Sequence, residues 1–246
     1  MRYLIVSDLH ANLEALHAVL EETKGAYDCA ICCGDLVGYG ADPNLVCEWV
    51  RANCKVVVRG NHDRASTGQE DLEWFNPVAR NAAVWTLQAL SRENAQYIMG
   101  LPRGPVTVES FQVFHGSPYD EYEYVIAAGE ANQAFSYLES RVAFFGHTHV
   151  QGGFIWNQSR VETILRTPTR SDSQSMTIDP GCAYMINPGS CGQPRDGNPA
   201  ACYAVFEPEA QQVTYHRVPY DHEAAAAKIL AAGLPERLAA RLNDGY

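Results

Sequence analysis

Apolar residues follow two different periods in the first third of the chain. Short apolar runs at residues 3–6, 29–33 and 55–58 are typical of buried strands. Between them, apolar positions at helical spacing predict helices at about 12–25 and 43–49, each with an Asn or Asp at its N-cap. Strands that alternate with helices in this way predict a parallel sheet with right-handed crossovers.

The remainder of the chain begins with helical patterns at 76–90 and 91–99 and then changes to short strands. The predicted strands lie at 106–108, 112–115, 142–145, 153–156, 161–165, 184–186, 202–206 and 213–217, with one helix at about 130–138. Residues 167–181 predict a long polar loop, and an alanine-rich helix from Asp221 finishes the chain. We expect an α/β fold of two packed sheets with helices outside, the first sheet parallel and the second richer in antiparallel neighbours.

Length and composition are those of an ordinary globular protein. The chain has 246 residues, of which 46% are hydrophobic and 19% are charged. This length supports one substantial core, so we expect a single domain over residues 1–246. The helical stretch at about 66–100 is predicted to be a cap-like insertion in that domain.

The charge balance limits the classes of partner. A formal net charge of −11 argues against a broad basic face for nucleic acid, so an anionic substrate needs a local attraction. No apolar run is long enough for a signal peptide or a membrane span, and we expect a cytoplasmic protein without a membrane partner. The eight cysteines lack zinc-ribbon spacing and are interpreted as buried, reduced thiols.

Polar clusters follow the predicted strands at their carboxyl ends. They are Asp8-Leu9-His10, Gly34-Asp35, Gly60-Asn61-His62-Asp63, His115 and Gly146-His147-Thr148-His149. Taken alone, each cluster is more often a turn or an exposed histidine than a functional site. Because ligands bind at the carboxyl edge of open α/β sheets, clusters at five strand ends indicate convergence on one cavity. His17, His216 and His222 lie outside the clusters and are interpreted as structural.

The residue types in these clusters predict a metal centre. The candidate ligands are two carboxylates, four imidazoles and one amide oxygen: Asp8, His10, Asp35, Asn61, His115, His147 and His149. Oxygen and nitrogen ligands without sulfur suit two divalent ions such as manganese, iron or zinc, with magnesium as a further candidate, about 3.5 to 4 Å apart and sharing a carboxylate. Two such ions with two carboxylates and a hydroxide leave one net positive charge, which would attract phosphate.

The motifs resemble those of the calcineurin-like metallophosphoesterase superfamily, whose blocks run D-x-H, G-D, G-N-H-[D/E], H and G-H-x-H. The matching residues span 8–149. Residues 7–16, 34–40 and 187–190 are further similar to the bacterial and archaeal phosphodiesterase-like branch. The resemblance implies a four-layer αββα sandwich of two mixed β-sheets.

The resemblance also implies roles for the cluster residues. One metal would be held by Asp8, His10, Asp35 and His149, and the other by Asp35, Asn61, His115 and His147. A hydroxide bridging the metals would attack phosphorus, and His62 would be the catalytic residue that stabilises or protonates the leaving oxygen. Asn12, Tyr39 and Arg64 are candidate substrate contacts.

Two departures argue against protein phosphatase activity. Protein Ser/Thr phosphatases usually carry G-D-x-V-D-R-G, whereas this chain has Gly38-Tyr39-Gly40 in place of the aspartate, arginine and glycine. Asp63 also replaces the glutamate of their G-N-H-E block. We expect a phosphoesterase for a small substrate, with a phosphodiester favoured. The alternatives are a phosphomonoesterase, a dinucleoside polyphosphate hydrolase and a non-catalytic protein-binding scaffold, and the oligomeric state stays open.

Overall fold

Twelve strands and eight α-helices make up the described part of the protein. The structure is a computed structural model that describes residues 1–165 and 173–246, with only the backbone at Trp74. The strands are β1 (Tyr3–Val6), β2 (Cys29–Cys32), β3 (Cys54–Val57), β4 (Val106–Val108), β5 (Phe111–Val113), β6 (Val142–Phe144), β7 (Gly152–Trp156), β8 (Val161–Ile164), β9 (Ser173–Thr177), β10 (Ala183–Asn187), β11 (Ala201–Glu207) and β12 (Gln212–Val218). The α-helices are α1 (Leu13–Glu22), α2 (Pro43–Asn53), α3 (Asn61–Ala65), α4 (Pro77–Ala89), α5 (Arg92–Met99), α6 (Ala128–Phe135), α7 (His222–Ala231) and α8 (Glu236–Asp244).

The first sheet is mixed, with the order β3-β2-β1-β11-β12-β9. Its β1, β2 and β3 are parallel, as their alternation with helices predicted. The expectation of a wholly parallel first sheet is wrong, because β11 pairs antiparallel with β1 and β12 and β9 follow antiparallel. The hairpin of β11 and β12 is a local pairing, and the sequence pattern did not show which sheet it would join.

The second sheet is also mixed, with the order β4-β5-β6-β10-β7-β8. Strands β5, β6 and β10 are parallel, and antiparallel neighbours flank them on both sides. The parallel parts of both sheets therefore direct the carboxyl ends of their strands to one region.

Strand alternation separates two layers of apolar contacts in the first sheet. In β1, Leu4 and Val6 pack in a cluster with residues of α1 and α2, whereas Tyr3 and Ile5 pack against the second sheet. Successive side chains of a strand point to opposite faces, which accounts for this division. On the other side of the second sheet, Ala143 and Met185 pack against α6. The layers are therefore helix, sheet, sheet and helix, which confirms the predicted sandwich.

The helical segment after α3 extends over one end of the first sheet. Helix α4 shares an apolar cluster with α7 and α8, and Ile98 of α5 packs in the cluster beneath α2. Asn76 and Ser91 cap these two helices by accepting hydrogen bonds from backbone N–H groups three residues later. The predicted boundaries of α4 and α5 thus follow from their capping residues and Pro77.

Two expectations about the end of the chain need correction. The predicted loop at 167–181 contains β9, which pairs with the edge of β12, and its residues up to 172 lie outside the described part. The final helix is two helices, because the chain turns at Gly233, where φ is +71°, before α8 begins. All eight cysteines are free thiols. Among the described helices, none has the length and hydropathy of a membrane span.

Candidate metal centre

The five polar clusters meet where the parallel strands of both sheets end. Asp8 and His10 follow β1, Asp35 follows β2, and Asn61 begins α3 after β3. His115 follows β5 of the second sheet, and His147 and His149 follow β6. The structure therefore brings all seven candidate ligands together, as expected for loops at the carboxyl edge.

The loops that carry these residues adopt an uncommon backbone conformation. Five of the seven candidate ligands have left-handed φ angles: Asp8 (51°), His10 (46°), Asp35 (53°), His147 (67°) and His149 (60°). Such angles cost energy for residues other than glycine and concentrate at functional sites. Backbone hydrogen bonds hold the loops in place, since Asp8 N donates to Gly34 O and His10 N to Asp35 O.

Two glycines allow the loops to approach the carboxylates closely. A Cβ atom at Gly60 would lie 2.0 Å from Asp35 Oδ1, and one at Gly146 would lie 1.9 Å from Ser7 Oγ and 2.7 Å from Asp8 Oδ2. Any side chain at either position would displace a candidate ligand. Gly60 and Gly146 are therefore needed because there is no space for a side chain. Gly34 is needed for a different reason, since its φ of +97° is the positive angle that a sharp turn requires.

The first group consists of Asp8, His10, Asp35 and His149. One ligand atom from each lies within 4.8 Å of every other, and all four side chains are buried. His10 Nε2 and His149 Nε2 are 3.0 Å apart, and Asp8 Oδ1 is 3.3 Å from His149 Nε2. This spacing is that of atoms that could share one ion.

The protonation of this histidine pair fits a cation. His10 Nδ1 donates to Val37 O at 3.1 Å and His149 Nδ1 donates to Gln193 O at 2.6 Å, because a carbonyl can only accept. Burial lowers the pKa of both rings well below the usual value, so each is neutral and presents an unprotonated Nε2. Two facing lone pairs repel each other, and a cation between them would remove that repulsion.

The second group consists of Asp35, His115 and His147, with Asn61 beside it. Ligand atoms of the first three lie within 4.8 Å of one another, and Asn61 Oδ1 is 3.3 Å from His115 Nε2. His115 Nδ1 donates to Cys33 O at 2.8 Å. His147 Nε2 donates to Tyr122 O at 3.1 Å, which leaves Nδ1 as its ligand atom.

Asp35 belongs to both groups. Its Oδ1 accepts a hydrogen bond from His62 N at 2.9 Å, whereas its buried Oδ2 has no hydrogen-bond partner and lies 3.3 Å from His115 Nε2 and 3.6 Å from His10 Nε2. Burial alone would raise the pKa of Asp35, but the imidazoles of His115, His62 and His10 lower it well below its usual value. An ionised, buried carboxylate oxygen that faces one imidazole nitrogen of each group is what a shared metal ligand requires.

The buried carboxylates of the two ligand groups favour positive charge between them. Burial opposes protonation of His115, but the Asp35 carboxylate outweighs it and raises the pKa of His115 to about 10. Burial and the Asp35 charge raise the pKa of Asp8 to about 7. A proton on His115 therefore offsets the Asp35 charge, Asp8 binds a proton near pH 7, and the same residues fit divalent cations in place of these protons.

His62 lies beside the two groups. Burial lowers its pKa to about 4 against the opposing charge of Asp35, so the ring is neutral at pH 7, and its Nδ1 has no hydrogen-bond partner. Its ring centroid is 5.1 Å from that of His10, 4.3 Å from Tyr39 and 5.6 Å from Phe75. Aromatic rings thus hold His62 in position.

Asp63 has a structural role in these contacts. Its Oδ1 accepts from Leu36 N at 2.9 Å and Val37 N at 3.2 Å, and its Oδ2 accepts from Gly60 N at 2.9 Å. The carboxylate therefore joins the loop after β2 to the start of α3. Asp63 and Tyr39 take the positions where the protein phosphatase pattern has different residues, and neither is a carboxylate partner for the His62 ring.

A cavity of about 380 Å³ opens next to the two groups. Its wall is formed largely by aromatic and acidic side chains: Tyr39, Asn61, His62, Glu70, Asp71, Phe75, Asn76, Ala79, Tyr122, Tyr124 and His147. Tyr39, one of the predicted substrate contacts, lies in this wall. Its place in the wall, with its ring 4.3 Å from that of His62, is consistent with that role.

The other two predicted substrate contacts are engaged elsewhere. Asn12 Oδ1 accepts from Ala15 N as the cap of α1, and its Nδ2 donates to Gly192 O at 2.8 Å. Arg64 forms ion pairs of 3.0 Å with Glu70 and 3.2 Å with Glu121. These contacts make both residues structural in the unliganded protein, so they do not support a direct contact with substrate.

Three residues near the centre were missed in the sequence. The ring of Tyr124 lies 3.9 Å from the ring of His147, Gln193 holds His149, and Arg195 lies 5.7 Å from the Tyr39 ring centroid. The Asn187-Pro188-Gly189-Ser190 motif marked the start of the loop with Gln193 and Arg195. Nothing in the local pattern distinguished these residues from other loop residues.

Comparison with known proteins agrees with this geometry. The model of the calcineurin-like phosphoesterase superfamily domain matches residues 1–211. An uncharacterised protein of Methanocaldococcus jannaschii is 35% identical over 252 positions, which cover 98% of this chain and 97% of that protein. The crystal structure of a metallophosphoesterase from Sphaerobacter thermophilus is 41% identical, with a TM-score of 0.86 over 100% of this chain and 99% of that one.

A more distant structure shows the same fold. A hypothetical protein from Pyrococcus horikoshii is 18% identical, with a TM-score of 0.77 over 100% of this chain and 98% of that one. The family match and the two closer relatives extend over most or all of the chain. On this basis, the chain belongs to the calcineurin-like phosphoesterase superfamily.

Proposed function

We propose that the protein is a binuclear metal-dependent phosphoesterase that hydrolyses a small phosphate ester, with a phosphodiester favoured. The observation that carries the proposal is the pair of buried ligand groups that share Asp35. One ion would be held by Asp8, His10, Asp35 and His149, and the other by Asp35, Asn61, His115 and His147. Manganese, iron or zinc suits these ligands best, and magnesium is a further candidate.

When bound, the two ions would activate water as a nucleophile and neutralise charge on the phosphate. Backbone hydrogen bonds hold the imidazole rings of the site in place before substrate binds. The backbone carbonyls of Val37, Gln193 and Cys33 each accept from an Nδ1 atom, so the Nε2 atoms of three imidazoles point inward. Preorganised groups of this kind lower the barrier because they need not reorient during the reaction.

His62 is the residue proposed to act on the leaving group. A neutral imidazole carries one ring proton, and it can donate that proton in a hydrogen bond to the oxygen that leaves phosphorus. Its backbone N–H bond to Asp35 places it next to both ligand groups. The neighbouring rings of Tyr39 and Phe75 exclude water from one side of it.

The shape of the cavity supports a small substrate. We infer that the segment at about 66–100 acts as a cap within a single domain over 1–246, since Phe75, Asn76 and Ala79 form part of the cavity wall. The apolar and aromatic wall would receive the organic part of the ester. The net charge of −11 supports a small anion over nucleic acid as the substrate. A cytoplasmic location stays a prediction.

A substrate panel with defined metals tests the proposal. The protein is stripped with chelator and loaded with manganese, zinc or magnesium. It is then assayed with aryl phosphodiesters, aryl phosphomonoesters and dinucleoside polyphosphates. We expect metal-dependent hydrolysis with a preference for diesters; a preference for one of the other substrates would select that alternative. Absence of bound ions together with absence of hydrolysis would support the protein-binding scaffold instead.

A further inference from the structure

Two arginines from the C-terminal part of the chain converge beside the candidate site. Arg195 lies in the loop between β10 and β11, and Arg241 lies in α8. Both donate to one acceptor, because Arg195 Nη2 is 3.1 Å and Arg241 Nη1 is 3.5 Å from Gln193 Oε1. We propose that Arg195, supported by Arg241, binds the phosphate group of the substrate. This inference rests on the proposed function.

The loop that carries Arg195 is held directly to candidate metal ligands. Ser190 Oγ and Gly192 N both donate to Asp8 O, at 2.8 and 2.9 Å. His149 Nδ1 donates to Gln193 O at 2.6 Å, and Arg195 N donates to His149 O at 3.1 Å. The backbone of Arg195 is therefore fixed relative to the first ligand group, which is what a phosphate-binding residue needs.

The guanidinium of Arg195 faces the side of the site where His62 lies. Its Cζ atom is 5.7 Å from the centroid of Tyr39, and the Tyr39 ring lies 4.6 Å from His10 and 4.3 Å from His62. The positive charge of Arg195 therefore lies beside a ring that contacts both His10 and His62.

Among the residues that the structure describes, no carboxylate forms an ion pair with either arginine. In the described ranges, ion pairs with carboxylates occupy Arg2, Arg51, Arg59, Arg64, Arg160 and Arg217, but not Arg195 or Arg241. The carboxylate next to Arg195 in the chain, Asp196, accepts from Arg217 at 3.0 Å. The Nε atom of Arg195 is buried and has no hydrogen-bond partner. In a protein of net charge −11, such cations are positioned for an anion that comes from outside.

The two cations also act on each other. Burial lowers the pKa of Arg241, and the neighbouring charge of Arg195 lowers it further. Like charges at close range are stabilised when an anion lies between them. A phosphate oxygen held by Arg195 would relieve this repulsion and would complete the hydrogen bonding of its Nε atom.

This position explains one departure in the sequence. The protein phosphatase pattern has an arginine where this chain has Tyr39. Here the guanidinium of Arg195 lies over the Tyr39 ring and comes from a loop more than 150 residues later in the chain. The chain thus supplies a phosphate-binding cation to the same side of the site from a different element.

Binding of inorganic phosphate tests the inference without requiring turnover. Manganese-loaded wild type, Arg195→Gln, Arg195→Lys and Arg160→Gln are compared by calorimetry and by phosphate inhibition of aryl ester hydrolysis. Arg160 is the matched control because it is an exposed arginine that forms an ion pair with Glu162, a residue outside the candidate site. We expect Arg195→Gln to weaken phosphate binding about tenfold or more, which corresponds to loss of a charge-assisted hydrogen bond. Arg195→Lys should recover part of the affinity, and Arg160→Gln should leave it unchanged.

The outcomes separate this inference from the proposed function. Wild-type phosphate affinity in Arg195→Gln, at equal manganese content, would overturn the role of Arg195 even if the enzyme is active. Conversely, a wild type that hydrolyses none of the esters would overturn the proposed function. Loss of phosphate binding in Arg195→Gln would then still support Arg195 as an anion-binding residue. Arg241→Gln should give a smaller loss than Arg195→Gln, and the reverse order would contradict the supporting role of Arg241.

Discussion

His62 differs from the other imidazoles of the site because no backbone carbonyl fixes its ring. His10, His115, His147 and His149 each donate to a carbonyl, whereas His62 Nδ1 has no partner. An imidazole that is buried, neutral and free to donate is suited to proton chemistry, and the fixed imidazoles are suited to metal binding. These contacts are consistent with the two proposed roles, proton transfer for His62 and metal binding for the other four histidines.

Substitution of His62 by alanine should therefore lower turnover without loss of metal. We expect kcat to fall by about 100-fold or more, the usual contribution of general acid catalysis. The measurement is steady-state kinetics together with metal analysis by mass spectrometry. His17→Ala is the matched control, since His17 is exposed on α1 and belongs to neither ligand group. Unchanged turnover in His62→Ala would remove the residue from the mechanism.

Asp35 should be required for both ions. Its Oδ2 faces His10 and His115, one from each ligand group, so Asp35→Ala removes the shared ligand. We expect the metal content after dialysis to fall from two ions per chain to none. Asp244→Ala, which changes an exposed carboxylate at the end of α8, should keep both ions. Two ions retained in Asp35→Ala would refute the shared role.

At the scale of elements, the ends of helices are where local chemistry decides stability. Gly233 has a φ of +71° in the turn before α8, and an added Cβ there would meet no atom within 4 Å. Gly129 lies in the first turn of α6 with equally open space and without a positive φ. The two glycines differ in backbone conformation alone, so they form a matched pair.

Alanine at these two positions should have opposite effects on the free energy of unfolding. Gly233→Ala should destabilise by about 1 kcal/mol, because an L-residue is strained in the left-handed region. Gly129→Ala should stabilise by about 0.5 to 1 kcal/mol through lower entropy of the unfolded chain. Urea denaturation monitored by circular dichroism measures both values. Stabilisation by Gly233→Ala would contradict the conformation of that turn.

Most elements could be predicted because their signals are local. The parallel strands β1, β2 and β3 have apolar runs between capped helices, and the resemblance of their terminal motifs to calcineurin-like phosphoesterases is confirmed by the family match. The position of β11 beside β1 could not be predicted, since it depends on contacts between residues about 200 apart. The left-handed φ angles of the candidate ligands could not be predicted from the sequence either, because tertiary contacts impose them.

Arg195 could not be identified from the sequence for the same reason, because its role depends on contacts with distant residues. Its neighbours in space are Tyr39 and His149, and neither is near it in sequence. An arginine in a polar loop is usually a solvated surface residue, so its type alone carries no information. The candidate metal ligands were recognised because several residue types recur at strand ends, which is a pattern that a single arginine cannot form.

At the scale of the whole molecule, aromatic residues join the two sheets. Phe111 of the second sheet is fully buried, and its ring lies 5.1 Å from Tyr3 and 5.4 Å from Phe206 of the first sheet. Another ring of its own sheet, Phe144, lies 5.5 Å away. This cluster holds together the two sheets that carry the candidate site, so its packing supports both halves of that site.

Phe111→Ala should therefore destabilise the whole protein. We expect a loss of about 3 to 5 kcal/mol in the free energy of unfolding, because the change leaves a large cavity between the sheets. Leu230→Ala, at a position that is 51% exposed, should change it by less than about 0.5 kcal/mol. Denaturant unfolding of chelator-treated samples measures both without a contribution from metal binding. Equal effects of the two substitutions would show that the sheets are not joined through this cluster.

The placement of β10 and β11 also bears on how the protein is made. A ribosome delivers all seven candidate ligands, from Asp8 to His149, before it delivers these two strands. Yet β11 pairs with β1, β10 lies between β6 and β7, and the loop between them is bonded to Asp8 and His149. The growing polypeptide therefore cannot complete the proposed metal cage until β11 has been made and has paired with β1, so we expect ions to bind only after that strand is in place.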